Sequence, residues 1–229
     1  MQNVKLKHLV AIRWFHWVNF PVLFLMIWSG LLIYWANDVY QIGPLHFFPD
    51  FVYRVLRLDH GLASGMALHF LFMWFFTING VLYVAYTIAS GEWRYLVPQS
   101  WKAFRDAWHV ILYDLGLEKQ LPAQHKYNAA QQITYTAIVL MGVGSVLTGL
   151  AIYKPIQLAW LTALLGGYEF CRLIHFALTM GYIAFFVIHL VQVVRAGWNN
   201  FQAMVTGYEL GPKFGQPAAE GGRREQTAA

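Results

Sequence analysis

The stretch CRLIHFALTMGYIAFFVIHLVQVV, Cys171 to Val194, decides how this chain is read. Arg172 is its one formally charged residue, and the run exceeds the ~20 helical residues that cross ~30 Å of hydrocarbon. It is a membrane span with two histidines inside it, His175 and His189. Fourteen residues of α-helix rise ~21 Å and return to within ~40° of the starting direction. The two rings therefore share one face of one helix at opposite depths, too far apart for one metal ion.

Working outward, three further stretches are long and apolar enough to span: 14–35, 62–89 and 132–153. The composition agrees, with 58% hydrophobic and 12% charged residues over 229 positions. Soluble domains carry about 25% charged residues, so apolar surface here must meet lipid as well as a core. The first span follows Lys5, Lys7 and Arg13, as a signal peptide would. Its apolar run is too long for one and no small-residue cleavage site follows, so it reads as a retained helix.

The cations orient the spans. One side receives Lys5, Lys7, Arg13, Arg94, Lys102, Arg105, Lys119, Lys126, Arg195, Lys213, Arg223 and Arg224; the other receives Arg54, Arg57, Lys154 and Arg172. Twelve against four is a positive-inside bias that puts both termini in the cytoplasm. The pI near 9.3 reflects this placement rather than a basic nucleic-acid-binding face. The expected fold is an all-α membrane protein, a four-transmembrane-helix bundle with short interfacial helices.

One such helix is expected over 99–114, where Trp101, Phe104, Trp108, Ile111 and Leu112 recur at helical spacing among charges. Residues 155–166 are apolar but too short to span and should lie at the outer interface. The stretch 36–60 reads as an outer loop with a short helix. The bundle domain is expected over 1–210, and the Gly- and Pro-rich tail 211–229 as a disordered extension.

Cys171 is the single cysteine, which excludes an intrachain disulfide, a cysteine-ligated iron–sulfur cluster and a covalent C-x-x-C-H haem. Histidine is the remaining redox ligand. Of nine histidines, four lie within spans: His16, His69, His175 and His189. One alone could be a polar residue hydrogen-bonded to a neighbouring helix. The set says more. His16 enters the first helix at the depth of His189, and His69 lies two turns into the second helix at the depth of His175. Two facing pairs result, His69/His175 outside and His16/His189 inside. Facing imidazoles from two helices are how a b-type haem is held without a thioether bond. His60 competes with His69, but it lies ~13.5 Å further out and on the opposite side of the helix. Arg13 and Arg172 each precede a histidine by three residues, one turn closer to the surface, where they could pair with haem propionates or simply snorkel.

These residues resemble the bacterial di-haem cytochrome b family that anchors hydrogenases, formate dehydrogenases and thiosulfate reductases to the membrane. The resemblance runs from Arg13 to Gly207 and rests on Arg13-Trp-Phe-His16-Trp17, His69-Phe70, Arg172-Leu-Ile-His175-Phe176 and His189. Lys126-Tyr-Asn128-Ala-Ala-Gln131 looks like the family's K-Y-N-x-x-Q motif, with Gln132 where a lysine is usual. Gly91, Pro98 and Gly166-Gly167 look most like the thiosulfate-reductase-type branch. The resemblance implies two haem b groups with bis-histidine iron. It also implies a quinone site (menaquinone or ubiquinone) near the cytoplasmic haem, for which Asn128 and Gln131 are the candidates. Asn128 could equally cap the third helix.

The expected role is a multi-pass subunit of the bacterial inner membrane carrying electrons between the quinone pool and a periplasmic redox subunit. That subunit would be a molybdoenzyme, a hydrogenase or an iron–sulfur protein. The chain has no nucleotide fingerprint, molybdenum domain or iron–sulfur motif, so substrate chemistry belongs elsewhere. Two alternatives are a stand-alone oxidoreductase passing electrons between a small diffusible species, such as superoxide, and quinone, and a transporter or purely structural anchor with the histidines as proton relays. The latter has no need of two depth-matched pairs.

Overall fold

The computed structural model describes residues 4–35, 41–42, 45–46, 49–58, 61–120 and 127–210. In chain order it contains β1 (Val4–Leu6), α1 (Val10–Trp35), β2 (Gln41–Ile42), β3 (Leu45–His46), α2 (Asp50–Leu56) and α3 (Leu62–Ala89). There follow α4 (Trp93–Leu96), α5 (Trp101–Asp114), α6 (Ala129–Tyr153), α7 (Ala159–Leu164), α8 (Tyr168–Thr206) and β4 (Tyr208–Leu210). The fold is an all-α membrane helical bundle, with α1, α3, α6 and α8 long and apolar enough to cross a bilayer. Their boundaries agree with the four expected spans to within a turn at most ends. The exception is α8, which continues well beyond residue 194.

The chain forms two compact units. One comprises Met1–Phe20 with Phe185–Ala229, and the other Pro21–Ala184. In the first, β1 pairs antiparallel with β4, Lys5 opposite Glu209, a ladder that sequence periodicity did not announce. Lys7 bonds Glu209 at 2.7 Å and Asn200 at 3.0 Å. The paired strands bring both ends of the described chain to one side, as an even number of spans requires.

The C-terminal part of α8 closes this unit because the helix breaks at Gly197, whose φ of 79° and ψ of 173° are open essentially to glycine alone. Beyond the break, the last carbonyls lack intrahelical partners. Trp17 Nε1 donates to the Met204 carbonyl at 3.0 Å and Arg13 Nη1 to that of Val205 at 2.6 Å. A Cβ at 197 meets no neighbour within 4 Å, so the cost of Gly197→Ala is conformational. That variant is expected to lose about 1–3 kcal/mol, read as a lower midpoint in a thermal melt of the detergent-solubilised protein.

In the second unit, Leu31, Leu32 and Leu58 form one small core with Trp28, Tyr53 and Met180 around it. Ala151, Leu161 and Cys171 form another, joining α6, α7 and the start of α8. Much of the remaining apolar surface faces outward, including Leu71, Phe75, Ile78 and Leu82 on α3. This is the surface of a protein solvated by lipid. The expected interfacial helix is α5, which lies against α6. Its Ala107 and Val110 are buried, while Trp101, Phe104, Trp108 and Ile111 are exposed. The short helices α7 and α2 fall within 155–166 and 36–60, as read. The tail 211–229, His60, His125 and Lys126 lie outside the described residues.

Candidate functional site

The four span histidines meet in two pairs, each within one unit. His69 on α3 and His175 on α8 have ring centroids 6.2 Å apart with planes crossed at 73°. His16 on α1 and His189 on α8 have centroids 6.2 Å apart with planes at 54°. An iron between two imidazoles, with metal–nitrogen bonds of ~2.0–2.1 Å and a ring radius of ~1.2 Å, sets centroids ~6.4 Å apart. Both pairs fit that spacing.

The donor set carries a second argument. Among the described residues no group of three or more His, Cys, Asp or Glu side chains could share a metal ion. Two imidazoles alone make a poor zinc site, which needs three or four protein ligands. They complete a haem, whose ring already supplies four nitrogens.

The His69/His175 pair is anchored from both sides. Ser29 Oγ on α1 lies 3.0 Å from His69 Nδ1, and Thr148 Oγ1 on α6 lies 2.9 Å from His175 Nδ1. Gly30 and Gly149, the next residues, let the helix backbones approach the same rings. A Cβ at Gly30 would stand 3.5 Å from His69 Cε1, and one at Gly149 would stand 3.3 Å from His175 Cε1. Gly65, one turn before His69, brings α3 onto α1: a Cβ there would meet the Leu32 Cβ at 2.8 Å and the Ser29 carbonyl at 3.1 Å. Aromatic contacts within the same unit pair Tyr34 with Phe176, Phe70 with Tyr153 and Phe76 with Tyr182.

The His16/His189 pair is set among larger rings. Trp17 meets His16 edge-on at 5.1 Å, and Phe185 stacks on His189 at 5.5 Å. His16 Nδ1 and Arg13 Nε are buried with no hydrogen-bond partner among the described residues. The Arg13 Nε–H is a donor that an anionic group bound here would satisfy.

The other sequence candidates are placed as follows. Arg172 pairs with the exposed Glu169 at 3.1 Å, and its backbone carbonyl accepts from Tyr34 Oη. Asn128 and Gln131 form a capping box at the start of α6. Asn128 Oδ1 accepts from the Gln131 N–H at 2.8 Å, and Gln131 Oε1 accepts from the Asn128 N–H at 3.0 Å. The capping role that the sequence left open is thus real, and each amide keeps its NH2 group as a donor. Beside them the Tyr127 phenol is pushed up by burial, then by Tyr135, Glu92 and Tyr83, and stays a neutral O–H donor. The residues missed in the sequence are Ser29 and Thr148. Each is a hydroxyl followed by glycine within a span, a signal shared with ordinary helix packing.

A multi-span helical protein with facing histidine pairs in its spans defines a membrane cytochrome b. The comparisons with known proteins agree: residues 7–207 match the family described as prokaryotic cytochrome b561, and the chain belongs to it. It is also similar to "Putative protein-methionine-sulfoxide reductase subunit YedZ1" of Azospira oryzae (strain ATCC BAA-33 / DSM 13638 / PS). The two are 31% identical over 199 residues, 84% of this chain and 92% of that one. The protein is therefore a multi-pass, haem b-binding membrane electron-transfer protein.

Proposed function

We propose that this chain holds two haem b groups and carries electrons across the bacterial inner membrane between quinone and a periplasmic redox subunit. The observation that carries this reading is the pair of matched imidazole separations, 6.2 Å in each unit. His69 and His175 would hold the outer haem, and His16 and His189 the inner one. The fourteen-residue spacing of His175 and His189 supports two depths on one helix. Bound haem b supplies a one-electron iron couple at each site.

The protein's own residues do the rest. The histidines would hold the iron, while Phe185, Trp17 and the aromatic pairs around His175 exclude water. Arg13, three residues before His16, offers its buried Nε to a propionate. Arg172 occupies the matching place before His175, and its guanidinium divides between Glu169 and a propionate. The name of the Azospira relative, a reductase subunit, supports a catalytic partner on a separate polypeptide.

Quinol binds by the amide NH2 groups of Asn128 and Gln131. Asn128→Asp separates this role from the cap, because it keeps an N-cap oxygen and removes the donor. It is expected to raise the KM for a quinol analogue about tenfold, one hydrogen bond's worth at ~1.4 kcal/mol per decade, with an unchanged melting midpoint. An unchanged KM would remove Asn128 from the quinone site.

The conduit itself is tested by mixing oxidised, purified protein with a menaquinol or ubiquinol analogue without oxygen and following haem reduction. Wild type should reduce both haems. His16→Ala, lacking one histidine of the inner pair, should leave its remaining haem oxidised on that timescale. Undiminished reduction in His16→Ala would contradict the proposed order.

A further inference from the structure

The hydroxyls beside the His69/His175 pair repeat one arrangement on two different helices. Ser29 Oγ donates its single proton to the Leu25 carbonyl at 2.6 Å, with Met26 O at 3.2 Å. Thr148 Oγ1 donates to the Gly144 carbonyl at 2.7 Å, with Ser145 O at 3.4 Å. A hydroxyl has one proton and two lone pairs, so toward the imidazole each oxygen can only accept. Nδ1 of His69 and of His175 must therefore carry the N–H. In each ring the proton on Nδ1 leaves Nε2 with a free lone pair.

We propose that Ser29 and Thr148 are paired positioning residues of one haem: they lock both ligands in the Nδ1–H tautomer, present Nε2 to the iron, and lower that iron's reduction potential. The inference rests on the reading of His69 and His175 as axial ligands. Its chemistry is general. An imidazole that donates from one nitrogen becomes a stronger electron donor through the other, and a metal-ligating histidine is oriented by such a partner. A richer donor favours ferric over ferrous iron. Gly30 and Gly149 complete the device, because the backbone beside each hydroxyl must sit close to Cε1 of the ring it holds. The His16/His189 pair lacks it: His16 Nδ1 is buried with no partner among the described residues.

The test uses purified full-length protein with its haem. Haem per chain and both midpoint potentials are measured for wild type, Ser29→Ala, Thr148→Ala, the double variant and Thr148→Ser. Each alanine variant should raise the same one of the two potentials and leave the other in place. The expected change is about fivefold in the ferrous-to-ferric ratio at fixed poise, roughly 40 mV at 59 mV per decade for one electron. The double variant should shift further, and Thr148→Ser should restore the wild-type value. A purely structural role would lower haem occupancy without moving the potential of the haem that remains. That result, or shifts falling on different haems in the two single variants, would overturn the proposal. Failure of the underlying reading is seen separately, as wild type without two b haems or His69→Ala retaining both.

Discussion

His69→Ala is expected to lose one of two b-type haems per chain, while His60→Ala keeps both. The ring of His69 stands 6.2 Å from that of His175 and is held by Ser29, and no other described side chain joins the pair to take its place. Alanine at 69 leaves His175 facing a gap, and a b-type haem has no covalent tether to retain it. Outer-shell changes alone cost about 10–100-fold in metal-site function, so loss of a ligand should cut quinol-driven electron delivery at least about 100-fold. The haem that stays should keep its low-spin spectrum, because His16 and His189 belong to a separate unit. Pyridine haemochrome assay on the two variants side by side reads the result. Two haems in His69→Ala and one in His60→Ala would exchange the roles of these residues.

Gly65→Ala is expected to lower stability and to displace His69. The added Cβ would stand 2.8 Å from the Leu32 Cβ and 3.1 Å from the Ser29 carbonyl, neither being the far end of a flexible side chain. Something in α1 or α3 must shift, and overpacking of this kind costs about 1–3 kcal/mol. The consequence reaches the site directly. Gly65 and His69 lie one turn apart on the same face of α3, and Ser29 touches both. Pushing α3 away from α1 at 65 lengthens the bond that orients His69. The expected signature is a lowered thermal midpoint together with reduced occupancy of one haem only. Gly80→Ala, where a Cβ meets nothing within 4 Å, is the control and should keep both haems without lowering the midpoint. Equal loss of both haems in Gly65→Ala would mean a general folding defect rather than a displaced ligand.

Span positions were legible because lipid imposes a simple rule: every backbone group must be satisfied within the helix, so an apolar run has one available form. The histidine pairs were legible for a related reason. Rise and rotation per residue turn the spacing of His175 and His189 into depth and face. The break at Gly197 was not legible, since a glycine inside a helical pattern does not disclose its φ. Nor was the β1–β4 ladder, whose strands are three residues each and lie at opposite ends of the sequence. Ser29 and Thr148 stayed hidden because a hydroxyl in a span usually bonds its own backbone, as both do here while also meeting a histidine. Asn128 and Gln131 were quinone-site candidates, with helix capping open for Asn128, and the capping box shows that their oxygens belong to the helix start.

The claim that all of this serves is that one chain carries two haem b groups. Haem extracted from the purified wild-type protein, typed as its pyridine haemochrome and divided by protein concentration, tests it most directly. The account predicts two b-type haems per chain. A ratio of one would contradict the two-site wire, and a folded, membrane-inserted protein with no haem would contradict the assignment of the histidine pairs altogether.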